Sequence, residues 1–209
     1  MSDALAAFDS GFPGPLAGVD EVGRGPIAGP VVAAAVVLPE SGWPDGIRDS
    51  KRLTAKARER LDGLIRGCAA VGVAVVGPEE VDELNIHHAT LAAMARAVAA
   101  LPVRPAHVLV DGKFLPPLHI PATAVIGGDA KSLSIAAASI VAKVLRDRIM
   151  VEASESHPEF GWSSNKGYPS PEHVSALKRH GPSPLHRRSF APVAAQILTM
   201  MQSRHTPSD

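Results

Sequence analysis

The sequence predicts an α/β fold with a mixed central sheet. Short apolar segments alternate with longer segments whose apolar residues recur at helical spacing, a pattern typical of α/β domains. The first two apolar segments follow each other across a turn rich in glycine and proline, so the chain opens with a hairpin-like pair. Hydrophobic residues make up 45% of the 209 residues and aromatic residues only 4%, so small aliphatic side chains must fill the core.

Five segments are predicted to be strands because they are short, apolar and bounded by glycine, proline or aspartate. The opening pair comprises Ala17–Val22 and Val31–Leu38. The later strands are Cys68–Val76, Val108–Val110 and Ala122–Ile126. The first strand and the last two end at or just before acidic residues, which makes these strand ends the first place to look for a functional site.

Helices are predicted where apolar residues recur three or four positions apart. The first of them, Thr54–Arg66, begins at a threonine that can serve as an N-cap. The others are Glu79–Leu101, Ser134–Ser154, Pro169–His180 and Pro192–Met201. The last two give the chain a helical C-terminal part, from about residue 155 to residue 203.

A single domain is expected over residues 16–203, because a chain of this length suits one domain. Residues 1–15 carry glycine, proline and serine and are expected to be a loose N-terminal arm, and residues 204–209 a tail. The N-terminus does not resemble a signal peptide, and no apolar stretch is long enough to span a bilayer. Together with the single cysteine, Cys68, these features predict a cytoplasmic protein without membrane contact or intrachain disulfides.

The charges do not identify a partner. Lysine plus arginine and aspartate plus glutamate both number 21, so the net charge gives no support to a nucleic-acid partner. Between Ser163 and Phe190 the chain carries five cations and one anion. This local excess is compatible with a nucleic-acid contact or with an ordinary solvated surface.

Four acidic residues stand at the ends of three predicted strands. Asp20 and Glu21 end the first strand, Asp111 ends the fourth, and Asp129 follows the fifth. Ligand sites of open α/β sheets lie outside the strand ends, so these side chains are expected at one place. Because like charges disfavour each other's ionised form, such a group needs a counter-charge. A divalent cation can supply it, and oxygen-only ligands favour Mg²⁺ or Mn²⁺ over zinc.

Each of these acids also has a simpler interpretation. Asp111 before Gly112 is compatible with an ordinary turn, and Asp129 before a helix with an N-terminal cap. Asp20 and Glu21 are adjacent, so in a regular strand they would point to opposite faces. The glycines that follow them permit a local distortion that would bring both side chains to the same side.

Six sequence blocks resemble the motifs of the type 2 ribonucleases H, in the order of that family. They are Gly18–Pro26, Asp49–Leu53, Val110–Gly112, Gly128–Ser132 with its continuation to Asp147, Asn165–Pro169 and His186–Phe190. The blocks span most of the chain, from about residue 16 to residue 192. The first motif starts at residue 18 and leaves no room for the additional N-terminal domain of ribonucleases HIII, which favours the ribonuclease HII subgroup.

The resemblance implies a ribonuclease H-like fold, in which helices flank a mixed five-stranded sheet and the C-terminal part is helical. It also implies an Asp-Glu-Asp-Asp metal site, which maps onto Asp20, Glu21, Asp111 and Asp129. Two divalent ions, Mg²⁺ or Mn²⁺, are expected there during catalysis. Asp20 is expected to bridge them, with Asp129 completing the second site.

The implied activity is endonucleolytic hydrolysis of the RNA strand of RNA–DNA hybrids. Single ribonucleotides embedded in duplex DNA are implied substrates as well. The cut is expected on the 5′ side of the ribonucleotide at an RNA–DNA junction, leaving a 3′-hydroxyl and a 5′-phosphate. Such an activity implies roles in ribonucleotide excision repair and RNA primer removal.

The resemblance also suggests how RNA is recognised. The backbone of Gly23, Arg24 and Gly25 is expected to read the 2′-hydroxyl that only RNA carries, since glycine allows close approach. Tyr168, the only tyrosine in the chain, is expected to pack on the sugar to the 3′ side of the ribonucleotide. Apart from the resemblance, these residues are also compatible with a tight turn and with an aromatic residue at a helix entry.

Four further residues are expected to contact the substrate backbone. Lys51, with Ser50 before it, matches a phosphate-binding position of the family. Ser139 and Lys143 are four positions apart on one predicted helix and share a face, which favours phosphate contact for both.

Two arginine motifs have less specific interpretations. Arg146 and Asp147 are expected to form a local structural pair outside the site. Arg187 and Arg188 either reach phosphate or only stabilise the fold.

Two other functions stay open at this point. One is a DNA-cutting nuclease of the same fold, resembling resolvases or transposases, and the other is a non-catalytic module that binds hybrids. The complete set of four acids disfavours the second. A monomer is expected, and a sliding clamp is an open alternative as a partner, although Gln196–Met201 is too generic to identify a clamp-binding peptide.

Overall fold

The computed structural model describes residues 2–203, so the tail predicted over residues 204–209 lies outside the described residues. Five strands form one sheet: β1 (Leu16–Val22), β2 (Val31–Val37), β3 (Ala70–Val76), β4 (His107–Asp111) and β5 (Ala122–Val125). The α-helices are α1 (Ser2–Asp9), α2 (Ala55–Cys68), α3 (Pro78–Ala99), α4 (Leu133–Ser156), α5 (Trp162–Asn165), α6 (Pro171–His180) and α7 (Ala191–Ser203). Short 3-10 turns cover Ser50–Arg52, Gly128–Ala130 and Pro158–Phe160.

The sheet is mixed and has the strand order β3-β2-β1-β4-β5. β1 runs antiparallel to β2 and parallel to β4, and β4 runs parallel to β5. Parallel neighbours bring their carboxyl ends to the same edge of a sheet, so β1, β4 and β5 present their last residues together. The predicted mixed five-stranded sheet with flanking helices and a helical C-terminal part is confirmed.

The close contact between β1 and α4 depends on a glycine. All seven residues of β2 are buried and are valine or alanine, so the centre of the sheet is built from small side chains. At Gly18 of β1 a Cβ atom would lie 2.1 Å from the backbone carbonyl carbon of Ser134 in α4. No side chain fits at this position. Because residue 18 is glycine, α4 can lie close to β1, the strand that carries Asp20.

A helix forms within the segment that was expected to be a loose arm, residues 1–15. Residues 2–9 form α1, and Leu5 is buried. The Oδ2 atom of Asp9 accepts hydrogen bonds from the backbone N and the Oγ of Ser134, at 2.9 and 2.8 Å. Asp9 thereby satisfies donors in the first turn of α4, where a negative charge is favourable. This partner is 125 residues away in the chain, so the local composition could not reveal it.

Other predicted boundaries hold with small changes. The Oγ1 of Thr54 accepts from the backbone N of Ala57 at 3.2 Å, which confirms the predicted N-cap of α2. Cys68 belongs to the end of α2 and not to β3. The long helix α3 is interrupted at Asn85, whose φ of 62° is not helical.

Contacts along the chain cluster into two compact units. The first comprises the chain up to Val22 together with Val32–Val75 and Thr90–Leu145, and it carries the four acids. The second comprises Gly23–Val31, Val76–Ala89 and the chain from Arg146 onward. The single domain over residues 16–203 stays a prediction. No α-helix within residues 2–203 is both long and apolar enough to cross a membrane.

Two fully buried arginines hold residues 23–30, the connection between β1 and β2, within the second unit. Arg146 donates to the carbonyl oxygens of Ala28, Pro30 and Lys166, and Arg187 donates to those of Gly23, Arg24, Pro26 and Gly29. Burial lowers the pKa of both guanidinium groups, that of Arg187 to about 9. Arg146 is therefore a long-range anchor and not only a local neighbour of Asp147. Of the two interpretations of Arg187, stabilisation of the fold is the one that its burial supports.

Substitution Gly18→Ala is expected to lower the free energy of unfolding by at least about 3 kcal/mol, because the added methyl group meets backbone atoms that cannot rotate away. The matched control is Gly63→Ala in α2, where a Cβ would meet nothing within 4 Å. The control should be neutral or more stable by up to about 1 kcal/mol, since alanine favours helix. Urea unfolding measures both. A Gly18→Ala variant as stable as the wild type would show that α4 can shift without cost.

Substitution Arg187→Lys is expected to destabilise the protein by about 3 kcal/mol. Lysine keeps the charge, but its three donors cannot replace the fork that reaches four carbonyl oxygens. The exposed neighbour Arg188 provides the matched control, and Arg188→Lys should leave the unfolding midpoint unchanged. Equal midpoints for the two variants would contradict the anchoring role of Arg187.

Candidate active site

Asp20 and Glu21 lie in the regular part of β1, and yet their carboxylates meet. The pairing of β1 with β2 runs without a bulge from Ala17 to Val22, so the local distortion allowed by the sequence is not used. The Oδ1 of Asp20 instead accepts from the backbone N of Glu21 at 2.7 Å, which folds the Asp20 side chain along the strand. Adjacent residues thereby offer oxygens to the same place.

Asp111 reaches the same place from the neighbouring strand. It ends β4, which is paired in parallel with β1 so that Val110 lies opposite Val19. Asp20, Glu21 and Asp111 each offer a carboxylate oxygen that lies within 4.8 Å of the other two. The Oδ1 of Asp111 accepts from the backbone N of Gly128 at 2.6 Å, which fixes the side chain. The expected meeting of strand-end acids is thus observed for these three residues.

Asp129 lies in the 3-10 turn before α4 and is 9% exposed. It is not the cap of α4, because Ser132 supplies that cap by accepting from the backbone N of Ile135 at 3.2 Å. Asp129 stands outside the close group of three carboxylates, but its charge raises the pKa of Asp111. Its Oδ2 lies 3.5 Å from Nζ of Lys51.

The electrostatics of the three close carboxylates are unfavourable without a cation. Burial raises the pKa of Asp20 well above its usual range, and the charges of Glu21 and Asp111 add to this. Burial also raises the pKa of Asp111, although the hydrogen bond from Gly128 opposes the shift. The ionised forms are therefore held at a cost that a positive charge between them would remove.

Two buried serines form a chain of hydrogen bonds that ends on the Asp20 carboxylate. Ser139 of α4 hydrogen-bonds the Asp20 carboxylate, and its Oγ lies 2.9 Å from Oγ of Ser50. If Ser139 donates to Asp20, then Ser50 must donate to Ser139. Both serines are almost fully buried, so the phosphate contact expected for them would require this pair to open.

The two lysines predicted to bind phosphate are placed differently. The side chain of Lys51 is 83% exposed and reaches Asp129, and an exposed ion pair of this kind is weak and easily exchanged. Burial lowers the pKa of Lys51, but the charges of Asp129, Asp20 and Asp49 outweigh it, so the net shift is upward and Lys51 stays cationic. Lys143 is half-buried on α4, one turn after Ser139.

A divalent cation fits the group formed by Asp20, Glu21 and Asp111. All the donors are carboxylate oxygens, the ligand type that Mg²⁺ and Mn²⁺ prefer. They converge from two strands onto one point and repel one another in the absence of a cation. The arrangement is compatible with a metal centre.

The second unit contains the predicted ribose-reading residues, and it brings them together. Gly23 is buried with a φ of +97°, whereas Arg24 and Gly25 are exposed. A Cβ on Gly25 would lie 3.4 Å from Cε1 of Tyr168, so the edge of the tyrosine ring packs close to the backbone of Gly25. Tyr168 is itself 46% exposed. Arg24, Gly25 and Tyr168 thus form one accessible surface within this unit, whereas Gly23 is buried.

Sequence reasoning did not identify the residues that support this surface. Arg146 and Arg187 hold the loop, and His173 bonds the backbone of Tyr168. Arg146 carried no clear signal in the sequence, because the charged residues Lys143, Asp147 and Arg148 stand close to it in α4. Its carbonyl partners Ala28 and Pro30 come from a distant part of the chain.

Comparison with known proteins agrees with this architecture. A sequence model of the ribonuclease HII family matches residues 17–193. The ribonuclease HII of Rhizorhabdus wittichii is 62% identical over 182 residues, which cover 87% of this chain and 90% of the relative.

Solved structures show the same fold. The crystal structure of the ribonuclease H2 from Pyrococcus horikoshii matches with a TM-score of 0.77 and 29% identity, covering 91% of this chain and 99% of that one. The ribonuclease HII in a complex with PCNA from Archaeoglobus fulgidus matches with a TM-score of 0.72 and 29% identity, covering 84% of this chain and 94% of that one. With its mixed sheet, its group of three close carboxylates and its match over residues 17–193, the chain belongs to the ribonuclease HII family and is an enzyme of the ribonuclease H class.

Proposed function

We propose that this chain cleaves the RNA strand of RNA–DNA hybrids and, in duplex DNA, cuts on the 5′ side of a ribonucleotide at an RNA–DNA junction. The products are a 3′-hydroxyl and a 5′-phosphate, as required for ribonucleotide excision repair and RNA primer removal. The observation that supports this proposal most strongly is the convergence of three carboxylates within 4.8 Å at the ends of β1 and β4. Membership in the ribonuclease HII family supports the substrate class.

The metal-binding role is assigned to Asp20, Glu21, Asp111 and Asp129. The first three would hold one divalent ion, and Asp129 with the shared Asp20 would complete a second site. Bound Mg²⁺ or Mn²⁺ supplies an activated water and stabilises the leaving oxygen of an in-line displacement. The protein's own contribution is to keep Asp20 in one orientation through Ser139 and Glu21 N, and Asp111 through Gly128 N.

The lysines have a separate role at the substrate backbone. Lys51 is exposed and cationic, so it can exchange its contact with Asp129 for a phosphate of the incoming strand. Lys143 is proposed to contact phosphate from α4. Ser50 and Ser139 affect the substrate strand only by orienting Asp20. Direct contact of these serines with phosphate requires that the hydrogen bond between them opens.

Recognition of RNA is assigned to the surface formed by Gly23, Arg24, Gly25 and Tyr168. The exposed backbone of Gly25 suits a close contact with the 2′-hydroxyl, which is both donor and acceptor. The Tyr168 ring is accessible and packs at its edge on Gly25, so it is available to a sugar. A deoxyribose accepts the ring, whereas a 2′-hydroxyl at that sugar obstructs it, and this difference would place the cut at the junction.

A sliding clamp is a further proposed partner. The relative from Archaeoglobus fulgidus is described in a complex with PCNA. Leu198 and Met201 of α7 are more than half exposed and offer an apolar surface near the end of the described chain. The monomeric state and the cytoplasmic location stay predictions.

The proposed function is tested with end-labelled duplexes that contain one ribonucleotide, a continuous RNA–DNA hybrid, or DNA alone. With Mg²⁺ or Mn²⁺ the wild type should cut the first two and leave DNA intact, and EDTA should abolish cleavage. Asp20→Asn should lower kcat by roughly 100-fold or more, because it removes a charge that holds the metal. Asp45→Asn, at an exposed position, is the matched control and should keep full activity.

The same variants separate catalysis from folding. Without metal, Asp20→Asn should be as stable as the wild type or more stable, since it removes the buried member of three close, mutually repelling carboxylates. Thermal unfolding in EDTA measures this. Cleavage of plain DNA would favour a DNA nuclease of the same fold, and binding without cleavage in both metals would favour a hybrid-binding module.

Tyr168→Ala is expected to lower cleavage at a single embedded ribonucleotide by about tenfold, in the range of a lost aromatic packing contact. Cleavage within a continuous hybrid should fall less, because ribose occupies every position there. Tyr168→Phe keeps the ring and should retain the junction preference. The ratio of the two kcat/KM values is the measurement, and an unchanged ratio in Tyr168→Ala would refute the role of the ring.

A further inference from the structure

A buried group of aromatic and histidine side chains in the second unit contacts the backbone of Tyr168 through His173. His173, His186, Trp162 and Phe160 are at most 2% exposed. Trp162 and Phe160 stack with their ring centroids 5.1 Å apart, and the two histidine rings pack against them. None of these residues has a role in the function proposed above, although two buried imidazoles require defined hydrogen-bond partners.

The hydrogen bonds determine which nitrogen of His173 carries the proton. The Nε1 of Trp162 can only donate, and it lies 3.1 Å from Nε2 of His173, so that nitrogen accepts. The proton of a neutral His173 is therefore on Nδ1. Nδ1 lies 2.8 Å from the carbonyl oxygen of Tyr168, which can only accept, and the two assignments agree.

The tautomer of His186 follows from the same reasoning. The backbone N of Ser183 donates to Nδ1 of His186 at 3.0 Å, so the proton of a neutral His186 is on Nε2. That proton points to Nε2 of His173, 3.0 Å away. Donation therefore runs in one direction, from Ser183 through His186 to His173, and it ends on the backbone carbonyl of Tyr168.

His173 has no place for an extra proton. A protonated His173 would direct an Nε2–H toward two groups that already donate to it, Trp162 and His186. Burial lowers the pKa of His173, and burial together with the neighbouring His173 and His157 lowers the pKa of His186 to about 4. Both rings are therefore neutral at physiological pH, each as a single tautomer.

The backbone that presents Tyr168 needs such restraints. Lys166 has a φ of +51°, a left-handed conformation that side chains other than glycine rarely adopt, and Gly167 follows with a φ of +85°. Each of the three carbonyl oxygens in this segment is held by a different partner. That of Lys166 accepts from Arg146, that of Gly167 from the backbone N of Ile27, and that of Tyr168 from His173 and the backbone N of Ser170.

We propose that His173 is a positioning residue for junction recognition: its Nδ1–H fixes the Tyr168 carbonyl, and with it the direction in which the tyrosine ring meets the sugar. Trp162 and His186 act on this contact by holding His173 in the Nδ1–H tautomer. The proposal rests on the role proposed for Tyr168. His173 itself touches neither substrate nor metal.

Two substitutions of similar size separate this role from a structural one. In His173→Asn the amide nitrogen takes the place of Nδ1 and can still donate to the Tyr168 carbonyl, but the acceptor for Trp162 and His186 is lost. In His173→Gln the amide oxygen takes the place of Nε2 and can still accept from both, but the donor to Tyr168 is lost. Both variants lose part of the network, so both should unfold at a lower temperature than the wild type.

Only His173→Gln should change substrate preference. The ratio of kcat/KM for a single embedded ribonucleotide to kcat/KM for a continuous hybrid is expected to fall about fivefold, the effect of one ordinary hydrogen bond. In His173→Asn the ratio should stay within about twofold of the wild type. A wild-type ratio in His173→Gln, or an equal fall in both variants, would overturn the proposal.

A measurement on the wild type keeps the proposal testable if neither variant folds. The ¹⁵N chemical shifts of the imidazoles at pH 7.5 should show His173 neutral with its proton on Nδ1, and His186 neutral with its proton on Nε2. A charged ring or the opposite tautomer at His173 would exclude the proposed contact. A wild type without junction preference would instead refute the role of Tyr168, and that result would leave the tautomers unchanged.

Discussion

Mutual repulsion of three closely placed carboxylates is the constraint on which the first unit depends. Asp20, Glu21 and Asp111 are brought within 4.8 Å of one another although burial and like charge raise the pKa of Asp20. Such a group persists only if the scaffold holds each side chain independently. The parallel pairing of β1 with β4 sets the spacing, the backbone N of Gly128 holds Asp111, and the close approach of α4 at Gly18 brings Ser139 to Asp20.

The second unit meets a different requirement, since it must present exposed backbone in a defined shape. Buried side chains that donate hydrogen bonds to backbone carbonyl oxygens meet this requirement. Arg146 and Arg187 together reach seven carbonyls, and His173 reaches that of Tyr168. Buried cations and imidazoles are costly unless fully bonded, and here the bonds restrain a glycine-rich connection that has little conformational preference of its own.

Much of the fold was predictable because the signals for it are local. Short apolar strand segments, helix spacing and the N-cap at Thr54 depend on residues close together in the chain, and the structure has strands, helices and the cap at these places. The predictions that were wrong or incomplete concern long-range partners. α1 is ordered because Asp9 bonds Ser134, and Arg146 is an anchor because it reaches carbonyl oxygens more than a hundred residues away. Local composition carries no information on such contacts.

The sequence by itself determined the chemistry of the protein: four acids at strand ends, the order of the family motifs, and the glycine loop and lone tyrosine expected to read ribose. Tertiary structure decided how those residues are held. It bonded Ser139 to Asp20, paired Lys51 with Asp129, and linked Tyr168 to His173. The physical reason is that residue type sets which bonds a side chain can make, whereas burial and distance in the folded chain select which of them are made.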